Sequence, residues 1–257
     1  MKSNLLREEQ RGSFHIFYFN ELSTTQEKAK EFATKGREEW TIVVSATQTA
    51  GRGRFHTRNW FSPMGGLWFS VLLRPEINFD ELKGFSLFPS ISAAWSIQKL
   101  TGLNALIKWP NDIIVGKKKI AGTVIESKIN MRKAIYSVVG IGINANFLEE
   151  AFPKHLNNKA TSLLQKTGKE IRLDELLVMI LQKMRTLYGM IIRGESFRII
   201  EEYHKLSDTI GRKVKILSEE SNITGKAKRV GENGALILEL SDGSVKKIET
   251  CEYLIYT

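Results

Sequence analysis

Cysteine is almost absent from this sequence, which has one, Cys251, among 257 residues. One thiol excludes an intrachain disulfide and any metal site built from several cysteines. No apolar run approaches the roughly 18 residues that a membrane-spanning helix needs, and the polar N-terminus lacks the apolar segment of a signal peptide. No low-complexity tract occurs, and 42% hydrophobic with 26% charged residues is a globular composition. We therefore expect a soluble, cytoplasmic protein with no membrane partner.

Acidic residues are too few to balance the basic ones, because 28 Asp and Glu stand against 38 Lys and Arg, a net charge of +10. From residue 205 onward the chain has nine basic and eight acidic residues, so nearly all of the excess precedes it. Such a balance favours anionic partners such as nucleotides, nucleic acid or an acidic protein. The cations concentrate in residues 51–60, with three arginines and no acid, and in residues 108–119, with four lysines and one aspartate.

Hydrophobic periodicity predicts an α+β fold, a mixed sheet with flanking helices that is followed by a small β-barrel. Helices are predicted over residues 24–35, 85–100, 174–192 and 196–206, the first starting at a capping box of Thr24 and Glu27. Strands are predicted over residues 14–20, 41–46, 66–73, 105–109, 112–116, 120–127, 134–143, 213–217, 223–230, 234–240 and 244–249. The change to short strands near residues 207–211 divides the chain into domains 1–207 and 208–257.

The segment with the strongest chemical signal is residues 48–63, QTAGRGRFHTRNWFSP. Gly51 and Gly53 let the backbone come close to a ligand, and successive backbone N–H groups can form an anion-binding nest. Arg52 and Arg54 offer fork-shaped donors that suit carboxylate and phosphate oxygens. By itself the string fits an enzyme loop, a flexible RNA-binding loop or a solvated turn.

Residues 108–112, KWPND, place a cation, an amide and a carboxylate close together. Lys108, Asn111 and Asp112 could hold a phosphate, a sugar hydroxyl and a hydrated Mg²⁺. The alternative is an ordinary β-turn. For Trp109 a place in the core is the favoured interpretation.

Two further segments carry a lysine or glycines in otherwise apolar strands. Lys119 opens KIAGTVIE and could stabilise a developing negative charge, although a surface lysine in a turn is the commoner explanation of such a residue. Gly140 and Gly142 in GIGIN indicate backbone that lies close to a flat ligand, or else a β-bulge.

Taken together and in this order, the segments resemble one family, the biotin–protein ligases or biotin–[acetyl-CoA-carboxylase] ligases. The resemblance includes the Ser23–Thr24 pair, the ATSL string at residues 160–163 and the terminal barrel, and it extends from about residue 14 to residue 250. It implies a class II synthetase-like biotin/lipoate ligase catalytic domain followed by an SH3-like barrel. It also implies the form of the enzyme without an N-terminal DNA-binding domain, and hence no DNA partner.

The resemblance implies a two-step reaction that uses ATP and Mg²⁺. Biotin is activated as biotinyl-5′-AMP and is then transferred to a lysine of a biotin carboxyl-carrier domain. Exposed sheet edges in this fold can pair side by side, so the formation of a homodimer is left open.

The same resemblance assigns roles to residues by their positions. Lys119, Arg52 and Arg54 would be catalytic. Biotin would be bound by Ser23, Thr24, Thr25, Gln48, Gly51, Arg52, Gly53, Lys119, Gly122, Gly140 and Gly142. The nucleotide would be bound by Arg54, Trp60, Lys108, Asn111 and Asn144, with Trp60 packed on adenine, and the metal by Asp112.

Two alternatives compete with the biotin ligase interpretation. A lipoate–protein ligase or octanoyltransferase shares the fold, but the sequence lacks the Gly-Gly-Gly run of those relatives, and Cys251 is expected to lie away from the site. A basic nucleic-acid-binding protein would fit the net charge, yet the terminal barrel is nearly neutral. The loop itself departs from the family pattern, because residues 51–60 are one residue longer and lack a third glycine.

Overall fold

The computed structural model describes residues 4–54, 59–76, 78, 81–217 and 222–257. The strands of the main sheet are β1 (Leu5–Arg11), β2 (Phe14–Leu22), β3 (Thr41–Gln48), β4 (Leu67–Leu73), β5 (Ala105–Lys108), β6 (Asp112–Val115), β7 (Lys118–Asn130) and β8 (Lys133–Ile143). Longer helices are α1 (Thr25–Thr34), α2 (Phe88–Thr101), α4 (Leu173–Ile192) and α5 (Ser196–Leu206), with a short α3 (Leu163–Thr167).

The eight strands form one mixed sheet in the order β1-β2-β3-β4-β8-β7-β6-β5. Strands β2 and β3 run parallel and are joined through α1, whereas the other neighbouring pairs run antiparallel. The predicted mixed sheet with flanking helices is therefore confirmed.

Alternation along the strands divides the core between the two faces of the sheet. On one face, Val43 and Leu72 pack with Ala29 and Ala33 of α1. On the other face, the intervening residues of the same strands, Ile42 among them, join one large cluster with α2 and α4. Because α1 is short, it covers only part of its face, and the uncovered part lies at its N-terminus.

A second sheet follows, built from β9 (Lys213–Leu217), β10 (Asn222–Val230), β11 (Leu236–Glu239), β12 (Val245–Ile248) and β13 (Tyr253–Tyr256). It is antiparallel, in the order β12-β11-β10-β9-β13, as expected for the small terminal β module. Its buried residues, such as Val214 and Leu236, belong to the same cluster as α2 and α4. Trp109 joins the two sheets, since it is buried and its indole Nε1 donates to the Gly234 carbonyl at 2.9 Å. The core position expected for Trp109 is confirmed.

Two strands were missed by the sequence analysis, and one helix begins later than predicted. Strand β1 is an exposed edge whose LLREEQR sequence lacks an alternating apolar face, and β13 is a four-residue strand. Helix α2 begins at Phe88, because a turn precedes it, and its last residue is Thr101, which is followed by the C-cap Gly102 with φ 72°. Among the described residues, no helix combines the length and apolar character that a membrane crossing requires.

Candidate functional site

Two glycines on one face of β8 open a trough beside α1. Val138 packs on this face with Ala29, and Gly140 and Gly142 continue the same face at two-residue spacing. Without side chains there, a cavity of about 80 Å³ remains next to the first turn of α1. Many residues predicted from the sequence line it: Thr24, Thr25, Gln48, Arg52, Gly53, Arg54, Trp60, Asn111, Lys119, Gly122, Gly140 and Gly142. We call it the trough.

A second cavity, of about 290 Å³, lies between the segment after β5 and the C-terminal sheet. The predicted nucleotide and metal residues that line it include Lys108, Asn111, Asp112 and Asn144. Cys251 is buried and also lines it, so the expectation that this cysteine lies away from the site is wrong. The reason is the pairing of β13 with β9, which brings residues 251–254 to the cavity.

The trough and the second cavity meet at a junction lined on both sides by Gly53, Arg54, Trp60, Asn111 and Lys119. An extended ligand that occupied both cavities would pass Arg54 and Lys119. Two cations therefore stand where an anion in one cavity meets an anion in the other. Fixed cations at such a point lower the electrostatic cost of bringing two anions together.

Lys119 reaches the junction from an irregular part of the sheet. The register of β6 against β7 shifts between Ile113 and Ile114, the latter opposite Lys119, and a bulge of this kind re-aims a side chain. The ammonium is ion-paired with Asp112 and lies 4.8 Å from the ring centroid of Trp60. It is thus held at the junction by a carboxylate of the second cavity.

Arg52 lies at the start of the Gly/Arg loop and lines the trough. Its guanidinium is 3.9 Å from the Glu27 carboxylate, and its backbone forms an isolated bridge with Asn59. The bridge brings the two ends of the loop together. Residues 55–58, which include Arg58 and the departure from the family pattern, lie outside the described residues.

Arg54 lines both cavities and is exposed as a whole residue. Desolvation by the surrounding protein nevertheless lowers the pKa of its guanidinium, against the opposing effects of Cys251 and Asp112. An arginine stays charged at neutral pH despite such a shift. Its charge therefore lies at the junction, at a place where water screens it incompletely.

The polar end of the trough is formed where α1 begins. Thr24 is the N-cap of α1, and its Oγ1 accepts from the Glu27 backbone N–H at 2.9 Å, so the predicted cap is confirmed. The Thr25 backbone N–H donates to Gln48 Oε1 at 2.8 Å. Ser23 is exposed and is absent from the lining of both cavities, so the geometry does not join it to the other predicted residues.

Two of the predicted glycines are approached closely by other groups. A Cβ on Gly140, which lines the trough, would lie 2.7 Å from Gln26 Oε1. Gly51 lines neither cavity, and a Cβ on it would lie 2.5 Å from the carbonyl oxygen of Trp60. Both distances are far below an ordinary contact. A larger residue at either position would displace its neighbour.

Trp60 lies on the floor of the trough as well as at the junction. Its indole Nε1 is 2.6 Å from the place of a Cβ on Gly142, and its ring is 3.1 Å from that of Gly122. Nε1 is buried and has no hydrogen-bond partner among the described residues. The stacking of Trp60 on adenine therefore stays a prediction, since this conformation places the ring over the glycines.

On the side of the second cavity, the predicted polar residues already have partners. The Lys108 ammonium lies 5.1 Å from the ring centroid of Tyr256, which links it to the C-terminal sheet. The side-chain amides of Asn111 and Asn144 donate to backbone carbonyls. These contacts fix the position of the two amides.

Across the described part of the chain, no group of three or more His, Cys, Asp or Glu could hold a metal ion. Mg²⁺ in nucleotide sites needs fewer protein ligands, because one or two carboxylates suffice when substrate phosphates and waters complete the coordination shell. Asp112, in the second cavity, offers one such carboxylate. The donor set therefore fits Mg²⁺ that arrives with a nucleotide.

Gln26 and Ser70 are among the trough-lining residues that sequence reasoning missed. Ser70 is fully buried, and it is the single polar residue of the apolar strand β4. That pattern was a usable signal. Gln26, one residue beyond the predicted biotin-binding run that ends at Thr25, carried none.

Comparisons with known proteins agree with this geometry. Residues 18–144 match the model of the biotin/lipoate A/B protein ligase family, and residues 209–250 match that of the biotin protein ligase C terminal domain. The bifunctional ligase/repressor BirA of Bacillus subtilis is 33% identical over 241 residues, 93% of this chain and 73% of the relative. BirA of Escherichia coli is 31% identical over 206 residues, 79% of this chain and 62% of the relative.

Among solved structures, the biotin protein ligase from Aquifex aeolicus in complex with biotin and ATP superposes with a TM-score of 0.78 at 29% identity. The alignment covers 94% of this chain and 99% of that one. The similarity therefore includes both sheets.

Proposed function

The chain belongs to the biotin/lipoate A/B protein ligase family, and from this premise we propose how its two cavities carry out ATP-dependent biotin ligation. It is a biotin protein ligase that activates biotin with ATP and transfers it to a carboxyl-carrier domain. The junction is the main observation that supports one cavity for biotin and the other for ATP, because Arg54 and Lys119 line both cavities there. Biotin occupies the trough and ATP the second cavity.

The first half-reaction joins two anions. A carboxylate oxygen of biotin attacks the α-phosphorus of ATP, and the bond to the β-phosphate oxygen breaks with release of pyrophosphate. The carboxylate is ionised at neutral pH, so no general base is needed. The protein contributes position and positive charge, for which Lys119, Arg52 and Arg54 are the proposed catalytic residues.

Asp112 is the proposed metal residue of the second cavity. When bound there, Mg²⁺ would supply positive charge to the phosphates. Asp112 is ion-paired with Lys119. If Asp112 held the metal, this pair would weaken and the Lys119 ammonium could turn toward the biotin carboxylate.

The second half-reaction needs access for a lysine of the carrier domain. Its neutral amine attacks the biotinyl carbonyl, a C–N bond forms, the C–O bond to phosphate breaks, AMP leaves, and the nitrogen gives up one proton to solvent. Strand β7 pairs with β6 only as far as Gly122, and beyond it no strand of the described residues covers that edge. A groove of about 790 Å³ follows this edge from Arg54 to Ile129.

An uncovered strand edge can pair with a strand of another chain. We propose that the carrier domain docks along the outer half of β7, which leads directly to the junction. A second copy of this chain could pair at the same edge and form a homodimer.

Residues 208–257 are proposed to act as a module that closes the second cavity. Cys251, Glu252, Tyr253 and Leu254 line that cavity opposite Lys108 and Asp112. Closure by this module keeps water from the activated intermediate. Removing residues 210–257 is expected to slow transfer to the carrier.

The test uses the purified chain with biotin, ATP and Mg²⁺. Pyrophosphate release, biotinyl-AMP detected by mass spectrometry, and labelling of a biotin carboxyl-carrier domain are expected. A carrier whose acceptor lysine is replaced by arginine is the control and should stay unlabelled. Lipoate in place of biotin distinguishes the related ligases, and the absence of biotinyl-AMP at saturating substrates would overturn the proposal.

A further inference from the structure

A chain of hydrogen bonds runs behind the polar end of the trough. Ser70 Oγ donates to Gln26 Oε1 at 2.8 Å, and Gln26 Nε2 donates to the Val138 carbonyl at 3.1 Å. Thr25 Oγ1 lies 2.8 Å from Ser70 Oγ. Thr25, Gln26 and Ser70 are all buried, and all three line the trough.

The direction of every bond in this chain follows from its fixed end. A backbone carbonyl can only accept, so the amide nitrogen of Gln26 must face Val138 and the amide oxygen must face Ser70. Ser70 has one hydroxyl hydrogen, which it gives to Gln26. The hydrogen between Ser70 and Thr25 must therefore come from Thr25.

Thr25 is consequently left without a hydrogen for any ligand. Its Oγ1 has no other hydrogen-bond partner among the described residues, so its remaining lone pair is available to the trough. A similar constraint acts on Gln48, whose Oε1 accepts from the Thr25 backbone while Nε2 donates to Ser62 Oγ at 2.8 Å. Within the part of the chain that the structure describes, the second amide hydrogen of Gln48 has no acceptor.

We infer that Ser70 and Gln26 are positioning residues that hold the Thr25 hydroxyl as a hydrogen-bond acceptor for a ureido N–H of biotin. The inference rests on the proposed function, and it extends the site to two residues that the ligase motifs do not contain. A ureido group carries N–H donors on either side of one carbonyl acceptor. An acceptor at Thr25 beside the spare donor of Gln48 complements that pattern, whereas a ring without N–H groups leaves Thr25 unpaired in a buried place.

The test compares biotin with its derivatives methylated at each ureido nitrogen in turn, which lack one N–H. Dissociation constants are measured by calorimetry for the wild-type chain, Ser70→Ala, Thr25→Val and the double variant. In the wild type, one methylated derivative is expected to bind much more weakly than biotin. Ser70→Ala frees the Thr25 hydrogen and should reduce this discrimination about tenfold, the usual effect of one hydrogen bond.

A double-mutant cycle separates positioning from mere packing. If Ser70 acts through Thr25, then Thr25→Val gives the same loss and the double variant loses no more. A control is Ser92→Ala in α2, which removes an equally buried hydroxyl that donates to the Phe88 carbonyl at 2.7 Å, away from the trough. It should leave both affinities unchanged.

Each outcome has one meaning. If Ser70→Ala retains the wild-type ratio of the two affinities while biotin still binds, the inference is overturned and the function stands. If Ser70→Ala and Thr25→Val reduce the ratio additively, Ser70 does not act through Thr25 and the inference is again overturned. If the wild type does not bind biotin at all, the proposed function itself fails.

Discussion

Lys119→Ala is expected to slow biotinyl-AMP formation by about 10²–10³-fold. The Lys119 ammonium lies at the junction, where a carboxylate and a phosphate must approach each other. A charge pair at about 4 Å is worth about 4 kcal/mol at an effective dielectric constant of about 20. About 1.4 kcal/mol corresponds to a factor of ten, so the full value is close to 10³. Lys119 must leave its ion pair with Asp112 before it contacts the substrate, and this reduces the expected effect on the rate below the full value.

Lys118 provides a matched control, because it is the preceding residue of the same strand and is paired with Glu149 at 2.9 Å. Lys118→Ala removes an equal charge from outside the lining of both cavities and should leave adenylation unchanged. Rates come from biotin-dependent pyrophosphate exchange. Loss of the half-exposed pair with Asp112 costs about 0–1 kcal/mol of stability, so thermal unfolding should hardly change. A Lys119→Ala enzyme with more than a tenth of normal activity would refute the reasoning.

Three further outcomes are expected. Gly142→Ala adds a methyl group 2.6 Å from the indole nitrogen of Trp60. The KM for biotin should therefore rise about tenfold while the KM for ATP stays unchanged. Equal rises of the two KM values would contradict the placement of Gly142 in the floor of the biotin trough. Trp109→Phe loses its bond to Gly234 and should cost about 2 kcal/mol, or roughly 4–8 °C in Tm by calorimetry; an unchanged Tm would argue against tight packing of the sheets. The pKa of Glu31 is lowered below its ordinary 4.5, mainly by a hydrogen bond from Lys28. The ionised Glu31 therefore stabilises the fold above pH 4.5, and this contribution is lost as the pH falls through the lowered pKa. Glu31→Gln should flatten the acid limb of Tm against pH, and an unaltered limb would exclude this carboxylate.

Features that depend on residues close in sequence were predicted well, whereas features that depend on distant segments were missed. Helix α1 was predicted closely because its cap, Thr24, and its apolar spacing lie within one short segment. Strand β1 was missed because its position at the sheet edge imposes no alternating pattern on its residues. Cys251 was misplaced because only the pairing of β13 brings it to the second cavity.

The class of fold, the order of the motifs and the residue types at the site can be derived from the sequence, since periodicity, caps and glycine spacing act over a few residues. The folded structure was needed to show that Lys119 and Arg54 stand between two cavities and that Trp60 lies over the glycines, and it is the basis for the inference that Ser70 orients Thr25. Each of these features depends on groups from distant segments. A side chain's neighbours, and hence its charge environment and the direction of its hydrogen bonds, exist only after the strands have paired.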